Sequence, residues 1–279
     1  MNYSKSIIDT IRARESWRTY QNKDINRSIL EKLSNFIEGL EESPFGHFKP
    51  RFKILPLKES SEINKFATYG MIKNAPYYIL GAIEKCEEVL EHYGFLFEKI
   101  ILKATELNLG TCWLGGTVDR KKVAKAIGLR KNGIIPAVTP LGYVESRRFM
   151  GKAVRWLIKS KKRKEWNKLF FLKSEKGLIP FQKEEAEKYE MPLEMVRLGP
   201  SAKNRQPWRI IKDNEQNIFH FYRTSTENYA RLDISIAVCH FDLTCKGEKI
   251  KGVWYKEDSN FLNALVPQDW IYSISWQEK

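Results

Sequence analysis

The sequence predicts a mixed helix-and-strand protein built as two unequal halves, and three observations carry that prediction. Helical and strand-like segments recur in one order in the two parts of the chain. Two helix-ending boundaries, Glu42-Ser-Pro44 and Leu198-Gly-Pro200, place their prolines 156 positions apart, with no gap needed to align the helices before them. Between the parts lies a run, residues 147–164, with nine Lys or Arg and no acid. We place the first half at residues 1–155 and the second at 156–279.

The elements follow in order. Ser28-Ile-Leu-Glu31 has the form of a capping box, and Ile29, Leu30, Leu33, Phe36, Ile37 and Leu40 continue at helical spacing. Phe52-Lys-Ile-Leu55 and Tyr77-Tyr-Ile-Leu80 read as short strands. Glu91 to Leu107 is apolar on several sides, which predicts a long helix buried on most faces. Gly110-Thr-Cys-Trp113 and the closing strand Ala137-Val-Thr-Pro-Leu-Gly142 complete the half. Their counterparts are a helix from Glu184 to Arg197, strands Trp208–Ile211 and Ile218–Tyr222, and a helix from Leu232 to Leu243. Lys251–Trp254 and Trp270–Ser275 then close the second half.

Composition narrows the class. The 279 residues carry a net charge of +14, and about two-thirds of that excess sits in the basic run alone. No helix-turn-helix, zinc-finger or RNP pattern accompanies it, so it reads as a solvated linker attractive to small phosphates, with a nucleic-acid surface as its rival. No apolar run approaches a membrane span, and the N-terminus lacks the form of a secretory leader. Cys86, Cys112, Cys239 and Cys245 show no metal-ligand spacing and read as reduced, buried thiols of a cytoplasmic protein. His240 reads as a packing histidine. His47 is the one histidine at a position matching the candidate site.

Two motifs carry chemistry. Arg14-Glu-Ser-Trp-Arg18 alternates guanidinium groups with a hydroxyl, a donor set suited to a phosphate. Gly199-Pro-Ser-Ala-Lys-Asn-Arg-Gln-Pro-Trp208 is a turn of small residues and side-chain amides leading into a β-branched run, read as an open turn offering donors and acceptors. A flat polar heterocycle with a phosphate tail would need both. Neither motif is repeated in full in the other half, so one site is expected.

These residues resemble the FMN-dependent nitroreductase family. Arg14, Ser16 and Arg18 match its Arg-x-Ser-x-Arg/Lys signature. Pro200, Ser201, Asn204, Gln206, Pro207 and Trp208 match its Pro-Ser-x-x-Asn-x-Gln-Pro-Trp turn. The glycine block from Gly110 to Gly116 and Leu141-Gly-Tyr143 match two further family segments, and the resemblance runs from about Ser4 to Trp276. It implies an α+β fold of three layers, a mostly antiparallel sheet flanked by helices. It also implies the single-chain form of the family, a pseudo-twofold tandem duplication in which a degenerate second copy replaces the partner subunit. Such a chain would work as a monomer.

The implied cofactor is FMN, with NADH or NADPH as donor and a small electron acceptor, nitroaromatic or quinone, in ping-pong hydride transfer. Arg14 and Arg18 would hold the phosphate and the pyrimidine edge of the ring, and Ser16 the phosphate. Pro200, Ser201, Ala202, Asn204 and Gln206 would meet the ring from the second half. Leu114, Gly115 and Gly116 would pass its dimethylbenzene side, and Gly70 and Lys73 would add ring contacts. Lys152 and Arg155 stand where the family returns a base to the phosphate, but the family's Lys-x-Arg spacing is not reproduced. No catalytic acid or base and no metal are implied. Alternatives are a relative using flavin for fragmentation or reductive dehalogenation, and a non-catalytic flavin-binding or regulatory protein.

Overall fold

The structure is a computed structural model that describes residues 3–40, 42–47, 49–57, 71–116, 118–145, 162–257 and 265–279. The chain is mixed α+β and divides into two compact units, one of Met1–Lys5 and Ala13–Leu157, the other of Ser6–Arg12 and Ile158–Lys279. The first helix, α1 (Ile7–Ala13), therefore packs largely with the second unit, although its residues lie at the start of the chain. There Ile7 lies against Gly247, and Arg12 Nη2 reaches Met191 Sδ at 3.5 Å.

In the first unit α2 (Arg27–Glu38) is followed by β1 (Arg51–Pro56) and β2 (Tyr77–Glu84), then α3 (Val89–Glu106), β3 (Gly110–Thr111), α4 (Arg120–Ile127), β4 (Gly133–Ile134) and β5 (Val138–Gly142). The sheet runs β1-β2-β5-β3, with β4 pairing the end of β2, and each of these pairings is antiparallel. Asn26 caps α2 by accepting Ser28 N at 2.9 Å, so the expected capping box of Ser28 and Glu31 does not form. Glu31 instead pairs with Arg27, four residues away and on the same face. Helix α3 is buried on nearly every turn, as its all-round apolarity predicts. Its Tyr93 packs against Gly81 of β2 and donates to Ala137 O at 2.6 Å. Gly81 makes this possible, because a Cβ there would fall 2.1 Å from the Tyr93 hydroxyl. A second cluster, including Leu55, Tyr78, Leu80, Leu114 and Val138, packs with Val123 and Ile127 of α4.

The second unit opens with a hairpin absent from the sequence-based expectations, β6 (Phe170–Ser174) and β7 (Gly177–Pro180). Two 3-10 turns, Lys183–Glu185 and Glu187–Tyr189, then precede α5 (Glu190–Leu198). The helix expected from Glu184 is broken because Pro192 lacks the N–H an interior position would donate. In α5 it falls within the first turn, where no intrahelical donor is needed. Next come β8 (Trp208–Asp213), β9 (Ile218–Arg223), α6 (Asn228–Gly247), β10 (Gly252–Tyr255) and β11 (Ile271–Glu278). The sheet order is β10-β11-β9-β8-β6-β7, antiparallel except where β6 meets β8. One face of this sheet is aromatic: Phe219 and Trp276 flank Phe241 of α6, with centroids 5.2 Å from it in each case. Each unit thus contains four strands in one order, β1-β2-β5-β3 and β8-β9-β11-β10, with a long buried helix after the second strand.

Candidate functional site

In the first unit the chain from Arg14 to Tyr20 runs as a strap beside the sheet. Trp17 N donates to Thr111 O at 2.8 Å, and Ser16 bridges the same residue of β3. On its other side Lys73 N donates to Arg18 O at 2.8 Å and Tyr20 N donates to Lys73 O at 3.0 Å. Gly110 lets the strap approach, since a Cβ there would lie 3.1 Å from Trp17 Cβ. Three side chains of this strap act on Cys112. The Ser16 side chain is hydrogen-bonded to it, and the guanidinium groups of Arg18 and Arg14 both act on it electrostatically.

The electrostatics are unusual for so basic a segment. Arg14 is 8 % exposed, and its Nε is buried with no hydrogen-bond partner. Desolvation lowers its pKa, opposed most by the charge of Glu98 and then by Cys112 and Glu15. Glu98 is fully buried on α3 and accepts Trp113 Nε1 at 2.7 Å. Burial raises the Cys112 thiol, with Arg18, Arg14 and the Ser16 hydrogen bond pulling the other way. A cationic group removed from water with a donor unspent is a place where an anion is favoured.

Of the other expected residues in this unit, Leu114 is buried and exchanges two backbone hydrogen bonds of 2.9 Å with Val138. Gly115 is half-buried, its carbonyl accepting Arg120 Nη2 at 3.4 Å, and Gly116 is exposed. Lys73 is exposed at the side-chain level while its backbone is locked to the strap. Gly70, Lys152 and Arg155 lie outside the described residues. His47 is on the surface, 3.0 Å from Glu42.

The turn of the second unit differs from expectation. It is not open. Gln206 is 2 % exposed and its amide is spent inside the unit. Its Oε1 accepts Lys164 N at 2.8 Å, and its Nε2 donates to Asn204 O and Oδ1 at 3.2 Å each. Asn204 Nδ2 donates to Lys162 O at 2.7 Å, and its Oδ1 accepts Arg163 Nη1 at 3.2 Å. The end of the basic run, read from sequence as solvated linker, is thus bound to the turn by the turn's own amides. Ser201 Oγ accepts Gln206 N at 2.9 Å, and Ala202 N donates to Asp233 Oδ1 at 3.0 Å. Positive φ at Lys203, Asn204 and Gln206 shows how tightly the backbone is wound between these anchors. Pro200 is half-buried beside them, and Trp208 is fully buried, as expected of a core residue. Asp233 itself is buried and desolvated, which raises its pKa to about 8 against the Ala202 hydrogen bond and the charge of Arg205.

The sequence reading did not single out Glu98, and it took Cys112 only as a buried thiol, which it is. A carboxylate between Phe97 and Lys99 in a helix apolar on several sides was the available signal for Glu98.

A family described as "Putative TM nitroreductase" matches residues 6–245. The chain belongs to that family. Among solved structures, one described as a putative nitroreductase from Thermotoga maritima shares the fold over 100 % of this chain and 95 % of its own, at 22 % identity and a TM-score of 0.62. An FMN-dependent nitroreductase from Clostridium difficile matches 50 % of this chain and 88 % of its own, with 20 % identity and a TM-score of 0.42. A nitroreductase with bound FMN from Bacteroides fragilis matches 51 % of this chain and 90 % of its own, at 20 % identity and a TM-score of 0.40. No curated protein matches the chain. Within this nitroreductase-family chain, no helix among the described residues is long and apolar enough to cross a membrane, and no metal-ligating cluster occurs among them.

Proposed function

We propose that this nitroreductase-family chain is an oxidoreductase that binds one FMN and transfers reducing equivalents from NADH or NADPH to a small acceptor of the nitroaromatic or quinone type. The observation that carries the reading is the Arg14 guanidinium, buried with its Nε unpartnered beside Ser16 and Arg18. The residues fit the cofactor. A phosphate monoester carries close to two negative charges at neutral pH and offers acceptors to both guanidinium forks and to a hydroxyl. When bound, FMN supplies the hydride chemistry, so the chain's own residues act by holding and orienting.

In this reading Arg14 is the principal anchor, because its charge is already desolvated and an anion gains most there. Arg18 and Ser16 add donors on the same strap. Lys73, tied to Arg18 and Tyr20 through its backbone, adds a cation at the strap's other edge. Gly115 and Gly116, between β3 and α4, leave room for a ring to approach the backbone there, with Leu114 beside them. Pro200, Ser201, Ala202, Asn204 and Gln206 enter on their sequence match to the family turn. Their amides serve first to fix that turn, so any contribution to the ring falls to backbone groups and to the Ser201 hydroxyl.

The test is the visible spectrum of protein purified without added cofactor. We expect a flavin spectrum with about one FMN per chain, bleached by NADH or NADPH and restored by a nitroaromatic acceptor. A colourless protein that takes up no added FMN would overturn the proposal. So would a ratio near two, which would contradict a single site.

A further inference from the structure

We propose that the first unit carries a second small-molecule site, for an organic phosphate, at the opposite end of its sheet from the Arg14 strap. A cleft of about 240 Å³ opens where β2 ends, and Lys49, Arg51, Lys85 and Arg130 line it against a single carboxylate, Glu84. The strap's Lys73 precedes the start of β2, whereas the cleft gathers at Glu84 and Lys85. An eight-residue strand separates them by about 25 Å at ~3.3 Å per residue.

Two of the four cations are held in place. Arg51 Nη2 donates to Gly128 O at 2.9 Å, capping the end of α4, and Arg130 Nη1 lies 3.0 Å from Glu84 Oε1. With Glu84 matched by Arg130, three positive charges remain against no other lining acid. Among the described residues no carboxylate pairs with Lys49 or Lys85. Like charges gathered in a concave surface focus field outward and favour a multiply charged anion. Phosphate suits the set, since a fixed guanidinium fork binds it bidentately and lysines add mobile donors.

The cleft is not only basic. Ala82, Ile83 and Leu129 give it an apolar floor, which inorganic phosphate would leave unused and the carbon part of a phosphate ester would cover. Its rim is fixed: Lys85 N donates to Asn132 O at 3.0 Å, and Gly133 packs so close to Leu129 that a Cβ would meet Leu129 Cδ1 at 2.6 Å. The volume is just below that of drug-sized pockets, which commits the site to a compact phosphate monoester. The inference stands apart from the flavin reading, because it shares no residue with the strap.

Titration calorimetry with AMP on the purified protein tests it. We expect saturable binding at one site, weakened at least tenfold in the double variant Lys49→Glu/Lys85→Glu and unchanged in Arg18→Ala. Both lysines are exposed, so the double variant keeps its fold and its FMN content. Failure of AMP to saturate, or equal affinity in the double variant, would overturn the proposal. Loss in Arg18→Ala would overturn it as well by placing AMP on the strap, and so would binding of a DNA duplex without binding of AMP.

Discussion

At the scale of single residues, burial decides what the charged and amide groups can do. Replacing Arg14 by Lys keeps the charge but loses the planar fork, so FMN affinity should fall about tenfold in a fluorescence titration while the circular dichroism stays unchanged. Gln206 makes the contrasting prediction. Its side chain satisfies Lys164 N and folds back on Asn204, so Gln206→Ala leaves half-buried backbone groups unpaired. The expected cost is about 1–3 kcal/mol in urea unfolding, far more than for a turn amide reaching toward solvent. The two motifs were legible in sequence because guanidinium, hydroxyl and amide groups at fixed spacing have few uses. Their internal partners were not, since nothing in the order of residues says that Gln206 meets Lys164 across 42 positions.

At the scale of elements, most strands and both long helices could be read from apolar spacing, and the failures have separate physical causes. Asn26 took the cap from Ser28 because its side chain reaches Ser28 N, and Asn caps a helix as readily as Ser. Pro192 broke the long helix expected from Glu184. The β6–β7 hairpin was missed because Phe170–Pro180 alternates weakly and ends in a proline, tolerated at an edge strand. Element packing also makes a prediction. Gly81→Ala would push a methyl group into Tyr93, whose ring is pinned by its bond to Ala137 O. Such overpacking should cost about 1–3 kcal/mol, read as a lowered midpoint in thermal unfolding, and Tyr93→Phe should not rescue it because the ring carbons are also too close.

At the scale of the whole molecule, two buried groups of the second unit set opposed pH dependences. His220 is lowered to about 4 by desolvation, so the unfolded chain binds its proton first as pH falls below 6.5. Its contribution is full above that value and lost on descending toward 4. Asp233 is raised from 3.8 to about 8, so the folded chain keeps a proton that the unfolded chain releases. Its contribution is full below 3.8 and lost as pH climbs toward 8. Between pH 4 and 6.5 the two slopes cancel, and from 6.5 to 8 Asp233 alone should lower stability by about 2 kcal/mol. Urea unfolding from pH 6.5 to 8 should show that fall, and Asp233→Asn should abolish it.

The two units share one order of four strands, while the Arg14–Arg18 motif and the amide turn each occur once in the chain. The function proposed for this nitroreductase-family protein rests on one buried cation, Arg14. Fluorescence titration of FMN into cofactor-stripped protein, parent against Arg14→Ala, addresses it most directly. The parent should bind about one FMN per chain and the variant should lose at least fifty-fold in affinity while remaining folded. Equal affinity in a folded Arg14→Ala protein would contradict the account.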